Sequence, residues 1–304
     1  MLATKQNVAK LSIVAVSSLI VMKVVASILT GSIAIGADAV HSAIDLAGIV
    51  IGYIGIRISG KPPDKRHAFG HGKAENIASV IIASLIFAAA GIICYQAVRR
   101  LIAGAALELV TVGIYVTAAA IVINVIISWY ALRVARATDS IALEATARHM
   151  LADVWSSCAV LVGLILVRLT GLSILDPIVA LLVTGLIARI GYLTMKKSFG
   201  GLMDTKLPEA EEKEIASCIM KHSGQLVGFH KIRTRKAGSQ RFIDLHLVMP
   251  KNVSVEEAHL MCDHLEQDIK NRLHDCSITI HVEPCSMECD QCPASSCTQR
   301  KPSP

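Results

Sequence analysis

Residues 36–46 read Gly-Ala-Asp-Ala-Val-His-Ser-Ala-Ile-Asp-Leu, and residues 148–154 read Arg-His-Met-Leu-Ala-Asp-Val. Both stretches lie in long apolar runs, and each contains a His followed four residues later by an Asp. Side chains four residues apart lie on the same face of a helix, one turn from each other. A carboxylate at membrane depth costs at least ~2.5 kcal/mol on insertion scales, so such residues persist mainly where they have a function. The pattern predicts two membrane helices with polar faces that can meet.

Composition supports a membrane protein. Hydrophobic residues make up 53% of the 304-residue chain and charged residues only 18%, whereas soluble domains carry about 25% charged residues. A membrane helix needs about 20 mostly apolar residues. Six stretches qualify, at 11–30, 34–58, 76–98, 109–132, 142–169 and 174–195. No cleavable signal peptide is expected, because the first apolar run lacks a cleavage site and leads into further spans.

The basic residues indicate the orientation of the spans. They gather before the first span, in the second and fourth connections and after the sixth span, at Lys5, Lys10, Arg57, Lys61, Lys65, Arg66, Lys73, Arg133, Arg136, Lys196 and Lys197. Lys and Arg are enriched in cytoplasmic connections. We therefore expect a multi-pass protein of the cell (inner, cytoplasmic) membrane with both termini in the cytoplasm. Only Arg99 and Arg100, in the third connection, do not fit this orientation. Orienting charges also account for the net charge of +6, so the expected surroundings are a lipid bilayer and no nucleic acid.

The chain changes character near residue 207. Pro208 and an acidic run open a predicted helix, two strands follow at 227–235 and 241–249, a second helix starts after Ser254, and a last strand covers 277–283. Ser254 and Glu257 have the spacing of a capping box. The order αββαβ predicts a small α+β domain of the ferredoxin-like, metallochaperone-like kind. The expected divisions are a six-helix transmembrane domain at 1–200, a linker at 201–206, a cytoplasmic metal-binding and dimerisation domain at 207–284 and a Cys-rich tail at 285–304.

The two polar spans could form one metal site. Packed together, they offer two imidazoles and two carboxylates, at His41, Asp45, His149 and Asp153. A tetrahedral set of nitrogen and oxygen ligands suits Zn²⁺. The alternative is a pair of polar contacts that hold the helices together, which the repetition of the spacing disfavours. Asp38 lies on the same helical stripe and could support the ligands or line the entry path.

Further candidate ligands lie outside the spans. The connection after the second span contains a carboxylate and two imidazoles within eight residues, at Asp64, His67 and His71. The α+β domain has histidines on its strands and second helix, and its candidate ligands are His230, His246, His259, His281 and Glu283. Two residues apart on one strand, His281 and Glu283 share a face. An ordinary polar loop and scattered surface histidines are the respective alternatives.

The tail contains Cys285, Cys289, Cys292 and Cys297. The inner pair has the Cys-x-x-Cys spacing common among thiolate metal ligands, but the flanking gaps match no zinc framework. Metal capture and a redox-labile tail are both compatible with it.

Together these segments resemble the cation diffusion facilitators, specifically the bacterial six-span zinc/iron type. The resemblance covers about residues 8–285 and depends on the paired His-x-x-x-Asp, on Phe-Gly-His-Gly-Lys-Ala-Glu at 69–75 and on His-Lys-Ile-Arg-Thr-Arg at 230–235. It implies a homodimer that exchanges divalent metal for protons by alternating access. The transport site would consist of the four ligands of the two polar spans, His41, Asp45, His149 and Asp153. It also implies that the loop and cytoplasmic ligands bind metal, the latter at the dimer interface. Lys73 and Asp204 match a pair that couples the membrane and soluble parts in such proteins.

The ligand types narrow the cargo. Without thiolates the transport site is unsuited to Cu(I), and with two imidazoles it is unsuited to Mg²⁺ or Ca²⁺. Zn²⁺ is the expected cargo and regulatory ligand, with Fe²⁺, Cd²⁺, Co²⁺ and Ni²⁺ as alternatives. An intramembrane zinc hydrolase would want a catalytic motif such as His-Glu-x-x-His, which the sequence lacks. A metal sensor would need a module that converts metal binding into a signal, and the sequence shows no motif of that kind. A transporter rather than an enzyme is therefore predicted.

Overall fold

A computed structural model describes residues 4–30, 33–103, 111–170, 174–273 and 275–286 of the chain. These residues form eight helices and three strands. The long helices are α1 (Lys5–Thr30), α2 (Ile33–Ser59), α3 (Lys73–Ala103), α4 (Thr111–Ala137), α5 (Ile141–Thr170) and α6 (Leu175–Leu202). The remaining elements are α7 (Glu209–Met220), β1 (Gly228–Ala237), β2 (Gln240–Met249), α8 (Val255–Arg272) and β3 (Cys276–Pro284). The predicted order of six long helices followed by αββαβ is confirmed.

The long helices contain 26 to 31 residues each, more than the ~20 needed to cross the hydrocarbon core. Within the described residues, four of them contain a segment that is long and apolar enough to span a membrane, at Lys5–Val25, Lys73–Arg99, Ala118–Ala137 and Pro177–Leu202. The other two, α2 and α5, carry the paired His-x-x-x-Asp. The first and third helices begin earlier than predicted, at Lys5 and Lys73, because each continues past the apolar run to a basic residue.

The chain divides into two compact units, Met1–Leu202 and Met203–Pro304. In the first unit, α3 packs mainly against α6, and α1 against α2. Buried side chains of helices α1 to α5 form one apolar cluster that includes Val8, Ile56 and Leu143. Ala145 and Ala152 of α5 join a second cluster with α3 and α6. Helix α5 therefore packs into both clusters and has several neighbours along its length.

Two glycines allow α2 to approach α5 closely. A Cβ atom at Gly52 would lie 2.2 Å from the Thr146 hydroxyl oxygen, and one at Gly48 would lie 3.3 Å from the His149 ring. Small residues four apart are a common means of bringing membrane helices together. The absence of a side chain at these positions fixes α2 against the part of α5 that carries His149.

The second unit is a three-stranded sheet covered on one face by two helices. β2 is the central strand, antiparallel to β1 and parallel to β3. Along β2, Leu245 and Leu247 are buried among residues of α7 and α8, while His246 between them points to the opposite face, as strand alternation requires. One face of the sheet therefore builds the core, and the other remains available for polar side chains.

The second helix of this unit begins as predicted. The Ser254 hydroxyl accepts a hydrogen bond from the Glu257 amide, and the Glu257 carboxylate accepts one from the Ser254 amide. This capping box satisfies amide groups that have no partner within the helix. At the start of α7, the acidic residues Glu209, Glu211 and Glu212 occupy the first turn, where the helix dipole favours negative charge.

Candidate metal sites

A group of potential ligands lies between α2 and α5. Ligand atoms of Asp45, His149 and Asp153 lie within 4.8 Å of one another. The His149 Nε2 and Asp45 Oδ1 atoms are 3.6 Å apart, and the two side chains are only 3% and 12% exposed. One imidazole and two carboxylates thus converge in a position that other parts of the protein largely cover. Such a group can bind either a divalent cation or protons.

The remaining member of the predicted set is His41. It lies on α2, about one helical turn before Asp45, and Asp38 lies on the same helix about two turns before Asp45. The side chains of both lie outside the part that the structure describes. Their participation in the site therefore remains a prediction based on their spacing in the sequence.

A buried lysine contacts α2 about one turn before Asp45. The Lys23 side chain of α1 donates a hydrogen bond from Nζ to the Ser42 hydroxyl at 2.7 Å, and Lys23 is 8% exposed. Ser42 is adjacent to His41 on α2. Because Lys23 and Ser42 are on different helices, their spacing along the chain does not reveal this contact.

The connection between α2 and α3 forms a second group. Asp64 lies 3.2 Å from His67 Nδ1 and 3.3 Å from His71 Nε2, through different carboxylate oxygens. The two imidazole rings are 4.4 Å apart at their centroids. The ligand atoms of all three residues lie within 4.8 Å of one another, so the structure brings together the three loop residues that the sequence singled out.

Backbone hydrogen bonds hold Asp64 in its charged form. Its Oδ1 atom accepts bonds from the His67 and Arg66 amides at 2.7 and 2.8 Å. These two amide groups lower the pKa of Asp64, with a smaller contribution from the His67 side chain. Because Oδ1 is occupied by the turn, Oδ2 is the better placed oxygen for a metal shared with His71.

The third group is a row of three imidazoles across the sheet. His246 of β2 is in register with His230 of β1 and with His281 of β3. The ring centroids of His246 and His230 are 5.4 Å apart, and those of His246 and His281 are 4.7 Å apart. All three belong to the face opposite the core. The irregular pairing between His230 and Arg233 contributes to this placement, since Lys231 has a φ of 51° and lies in the left-handed region.

Glu283 connects the histidines of this row. Its carboxylate oxygens lie 2.7 Å from His246 Nδ1, 3.0 Å from His230 Nε2 and 3.7 Å from His281 Nε2. The hydrogen bond with His246 is the largest cause of a lowered pKa of Glu283, which the neighbouring charges reinforce. Ligand atoms of His230, His246 and Glu283 lie within 4.8 Å of one another.

Other predicted ligands have different surroundings. His259 is on α8 beside Asp263, 3.7 Å away, and among the described residues it is not part of the Glu283 group. Cys285 is 3% exposed, and its amide donates to the Met249 carbonyl. Its thiol is thus enclosed at the end of the sheet. Cys289, Cys292 and Cys297 lie outside the described residues.

The predicted coupling residues have partners within their own units. Lys73 donates from Nζ to the Leu202 carbonyl at 3.4 Å. Asp204 accepts a hydrogen bond from Arg235, also at 3.4 Å, and has a φ of 54°. Each residue thus fixes the end of a neighbouring element, and a direct pair between Lys73 and Asp204 stays a prediction.

Gly48 and Gly52 are site-building residues that the sequence reasoning missed. Their spacing of four within an apolar run was a usable signal, since it places both on one helix face. The paired His-x-x-x-Asp pattern indicates the ligands, but it does not indicate the small residues that let the two helices approach each other.

Comparisons with known proteins agree over nearly the whole chain. Residues 9–203 match the family described as Cation efflux transmembrane domain, and residues 207–285 match ZT_dimer, described as Cation efflux protein, cytoplasmic domain. The "Uncharacterized transporter sll1263" of Synechocystis sp. is 36% identical over 276 residues, covering 91% of this chain and 89% of that protein.

The Cation-efflux pump FieF of Salmonella paratyphi A is 33% identical over 276 residues, with 89% of this chain and 90% of the pump covered. A solved structure of CzrB matches 26% of this chain and 99% of its own, at 36% identity and a TM-score of 0.26.

Proposed function

The chain belongs to the cation diffusion facilitator family of membrane cation efflux transporters, and on that premise we propose that it exports Zn²⁺ in exchange for protons. The observation that carries this proposal is the enclosed group of Asp45, His149 and Asp153 between two membrane helices. Burying such a group away from water is costly, so it is expected mainly where it has a function such as transport.

The donor atoms favour zinc among divalent cations. With His41 added from the same face of α2, the set has two imidazole nitrogens and two carboxylate oxygens, a common tetrahedral zinc environment. Mg²⁺ and Ca²⁺ prefer shells built from oxygen alone. Fe²⁺, Co²⁺, Ni²⁺ and Cd²⁺ accept the same donors and are the alternative cargoes.

Competition between metal and protons supplies the coupling. Imidazole nitrogens and carboxylate oxygens bind a metal only when deprotonated, so metal binding releases protons and protonation releases metal. If the site opens alternately to either side of the membrane, an inward proton gradient drives metal outward. With both termini in the cytoplasm, α2 and α5 form the path between cytoplasm and exterior of the cell membrane.

The loop and sheet groups are proposed as additional metal sites. Asp64, His67 and His71 would bind metal near the cytoplasmic end of the helices. His230, His246, His281 and Glu283, with His259 at a greater distance, would bind metal on the cytoplasmic dimerisation domain and regulate the homodimer. The support is the short distances between donors on one open sheet face.

The proposal is tested with purified protein in lipid vesicles that are acidic inside. Wild-type protein should accumulate Zn²⁺ and release protons, and a protonophore should abolish the accumulation. Asp153→Asn removes one charged ligand at constant volume and should reduce zinc flux at least tenfold.

Asp139→Asn is the matched control. The same chemical change is made just before α5, at a residue with a φ of 54°, a conformation that Asn tolerates. It should transport normally. Wild-type flux in a well-folded Asp153→Asn protein would remove this residue from the transport site.

A further inference from the structure

One fully buried carboxylate lies outside all three ligand groups. Glu75, the third residue of α3, is 0% exposed. Its Oε1 atom accepts hydrogen bonds from Lys5 Nζ at 2.6 Å and from the Ser59 hydroxyl at 2.9 Å. Its Oε2 atom accepts bonds from the Ser140 hydroxyl at 2.6 Å and from the Ala142 amide at 3.4 Å. Both oxygens are thus engaged by two donors each.

The four donors belong to the ends of three different helices, because Ser140 and Ala142 both lie at the start of α5. Lys5 begins α1, Ser59 ends α2, and Ser140 precedes the first residue of α5. The carboxylate also lies at the amino end of α5, where the helix dipole favours negative charge. One side chain of α3 therefore joins the ends of three other helices, and we call this group the Glu75 clasp.

The next residue of α3 binds the remaining neighbour. Asn76 is 0% exposed, and its amide donates to the Ser198 carbonyl of α6 at 3.2 Å. A Cβ atom at Gly201 would lie 1.9 Å from the Asn76 side chain, so Asn76 fills the space that this glycine leaves. The first turn of α3 holds α6 through Asn76, and α1, α2 and α5 through Glu75.

The clasp lies on the same side of the proposed transport site along both ligand-bearing helices. Asp45 precedes Ser59 by about 14 residues, which is roughly 21 Å of helix at 1.5 Å per residue. Asp153 follows Ser140 by a similar length, roughly 20 Å. On this side of the proposed transport site, the ends of α2 and α5 are therefore tied to the same carboxylate.

We propose that Glu75 is a positioning residue that holds the cytoplasmic ends of α1, α2 and α5 closed, and that the Glu75 clasp opens when metal enters from the cytoplasm. This inference rests on the proposed transport function and orientation. Hydrogen bonds to a charged acceptor are about twice as strong as neutral ones, which suits a contact that must close firmly. Lys5 can follow the opening, because its side chain is already 21% exposed and lies on the first turn of α1.

The first test measures hydrogen–deuterium exchange in the full-length protein. Glu75→Gln should accelerate exchange in three separate segments, 5–10, 56–60 and 141–146. The matched control is Glu144→Gln, which removes another carboxylate near the start of α5, one that pairs with Arg148 and Lys197. It should accelerate exchange in α5 but not in segments 5–10 and 56–60. Acceleration confined to α3, or the same pattern in both variants, would overturn the clasp.

The second test separates gating from general damage by zinc flux kinetics. Weakening the clasp favours the form open to the cytoplasm, so KM should fall, while slower closure should lower kcat. A change of about tenfold in each is expected for loss of a charged hydrogen-bond acceptor. Damage to the fold would lower kcat without lowering KM, and that result would refute the gating role.

Changes at Lys5 keep the inference testable if Glu75→Gln does not fold. Lys5→Met should shift KM and kcat in the same directions by a smaller factor, because three donors to Glu75 remain. Lys5→Arg preserves the charge and should behave as wild type. If wild-type protein moves no zinc, the proposed function fails, and the exchange measurement still decides whether Glu75 joins the three helix ends.

Discussion

Gly52→Ala tests whether the approach of α2 to α5 builds the transport site. The new methyl group would lie 2.2 Å from the Thr146 hydroxyl oxygen, more than 1 Å closer than ordinary contact. That hydroxyl already donates to the Ala142 carbonyl at 2.9 Å. Either Thr146 rotates and loses this bond, or the two helices separate.

The magnitude follows from these two responses. Loss of the hydrogen bond costs about 1 kcal/mol, and overpacking costs about 1–3 kcal/mol. Replacing Gly by Ala within a helix stabilises the helix by up to about 1 kcal/mol, which offsets part of this cost. Because only one of the two responses occurs, the expected net loss of stability lies between about zero and 2 kcal/mol. Metal bonds tolerate changes of only about 0.2 Å, so separating Asp45 from His149 should weaken zinc binding at least tenfold.

A second substitution should reverse the defect. Thr146→Ala removes the clashing oxygen and leaves the Thr146 Cβ 3.5 Å from the new methyl group, an ordinary contact. Zinc flux and thermal unfolding are measured for Gly52→Ala, Thr146→Ala and the double variant. The double variant should approach the Thr146→Ala protein in both measurements. If the double variant is as impaired as Gly52→Ala, or if Gly52→Ala transports normally, the close approach does not set the site.

Four further outcomes are expected. Asp64→Asn keeps an oxygen for the turn amides but removes the charge facing His71, so zinc binding by the loop should weaken at least tenfold while the loop keeps its shape; unchanged calorimetric binding would dismiss this site. His41→Asp should raise the Cd²⁺/Zn²⁺ flux ratio, because a carboxylate accommodates the larger ion, and an equal ratio would assign selectivity elsewhere. Truncation after Ser286 removes three tail thiols and should leave flux at saturating zinc intact; a dimeric but inactive truncation would contradict this. The hydrogen bond from Lys206 lowers the pKa of Glu212, so this pair stabilises the domain above the ordinary carboxyl pKa and ceases to do so as the pH falls through the lowered value. In Glu212→Gln, the loss of stability on acidification below about pH 4.5 should therefore be smaller than in the wild type. An identical acid unfolding transition in the two proteins would exclude the pair as a cause.

The fold could be predicted because its signals are local. Apolar runs of about 20 residues specify the long helices, and the capping box at Ser254 marks the start of α8 within a few residues. The proximity of Asp45 to His149 and Asp153 could also be anticipated, because the same polar spacing on two apolar helices leaves few ways to bury both. Whether these residues carry metal stays a prediction.

The Glu75 clasp could not be predicted in this way. An acidic residue in the first turn of a helix is ordinary in sequence, and its side-chain partners are 16, 65 and 70 residues away. The row of histidines across the sheet depends on strand register, which an irregularity between His230 and Arg233 shifts. Both features come from long-range packing, which a pattern along the chain does not contain.

The three-histidine row has a consequence for the fate of the protein in a cell starved of metal. Its imidazoles occupy the sheet face opposite the apolar core, which Ile215, Leu245 and Leu265 fill without them. In small zinc domains that lack such a core, loss of the ion unfolds the chain. Because this core does not use the imidazoles, we expect the domain to keep its fold when the sheet face holds no metal, and its core to stay closed to proteases. An exporter built in this way would outlast a shortage and respond to the next excess without new synthesis.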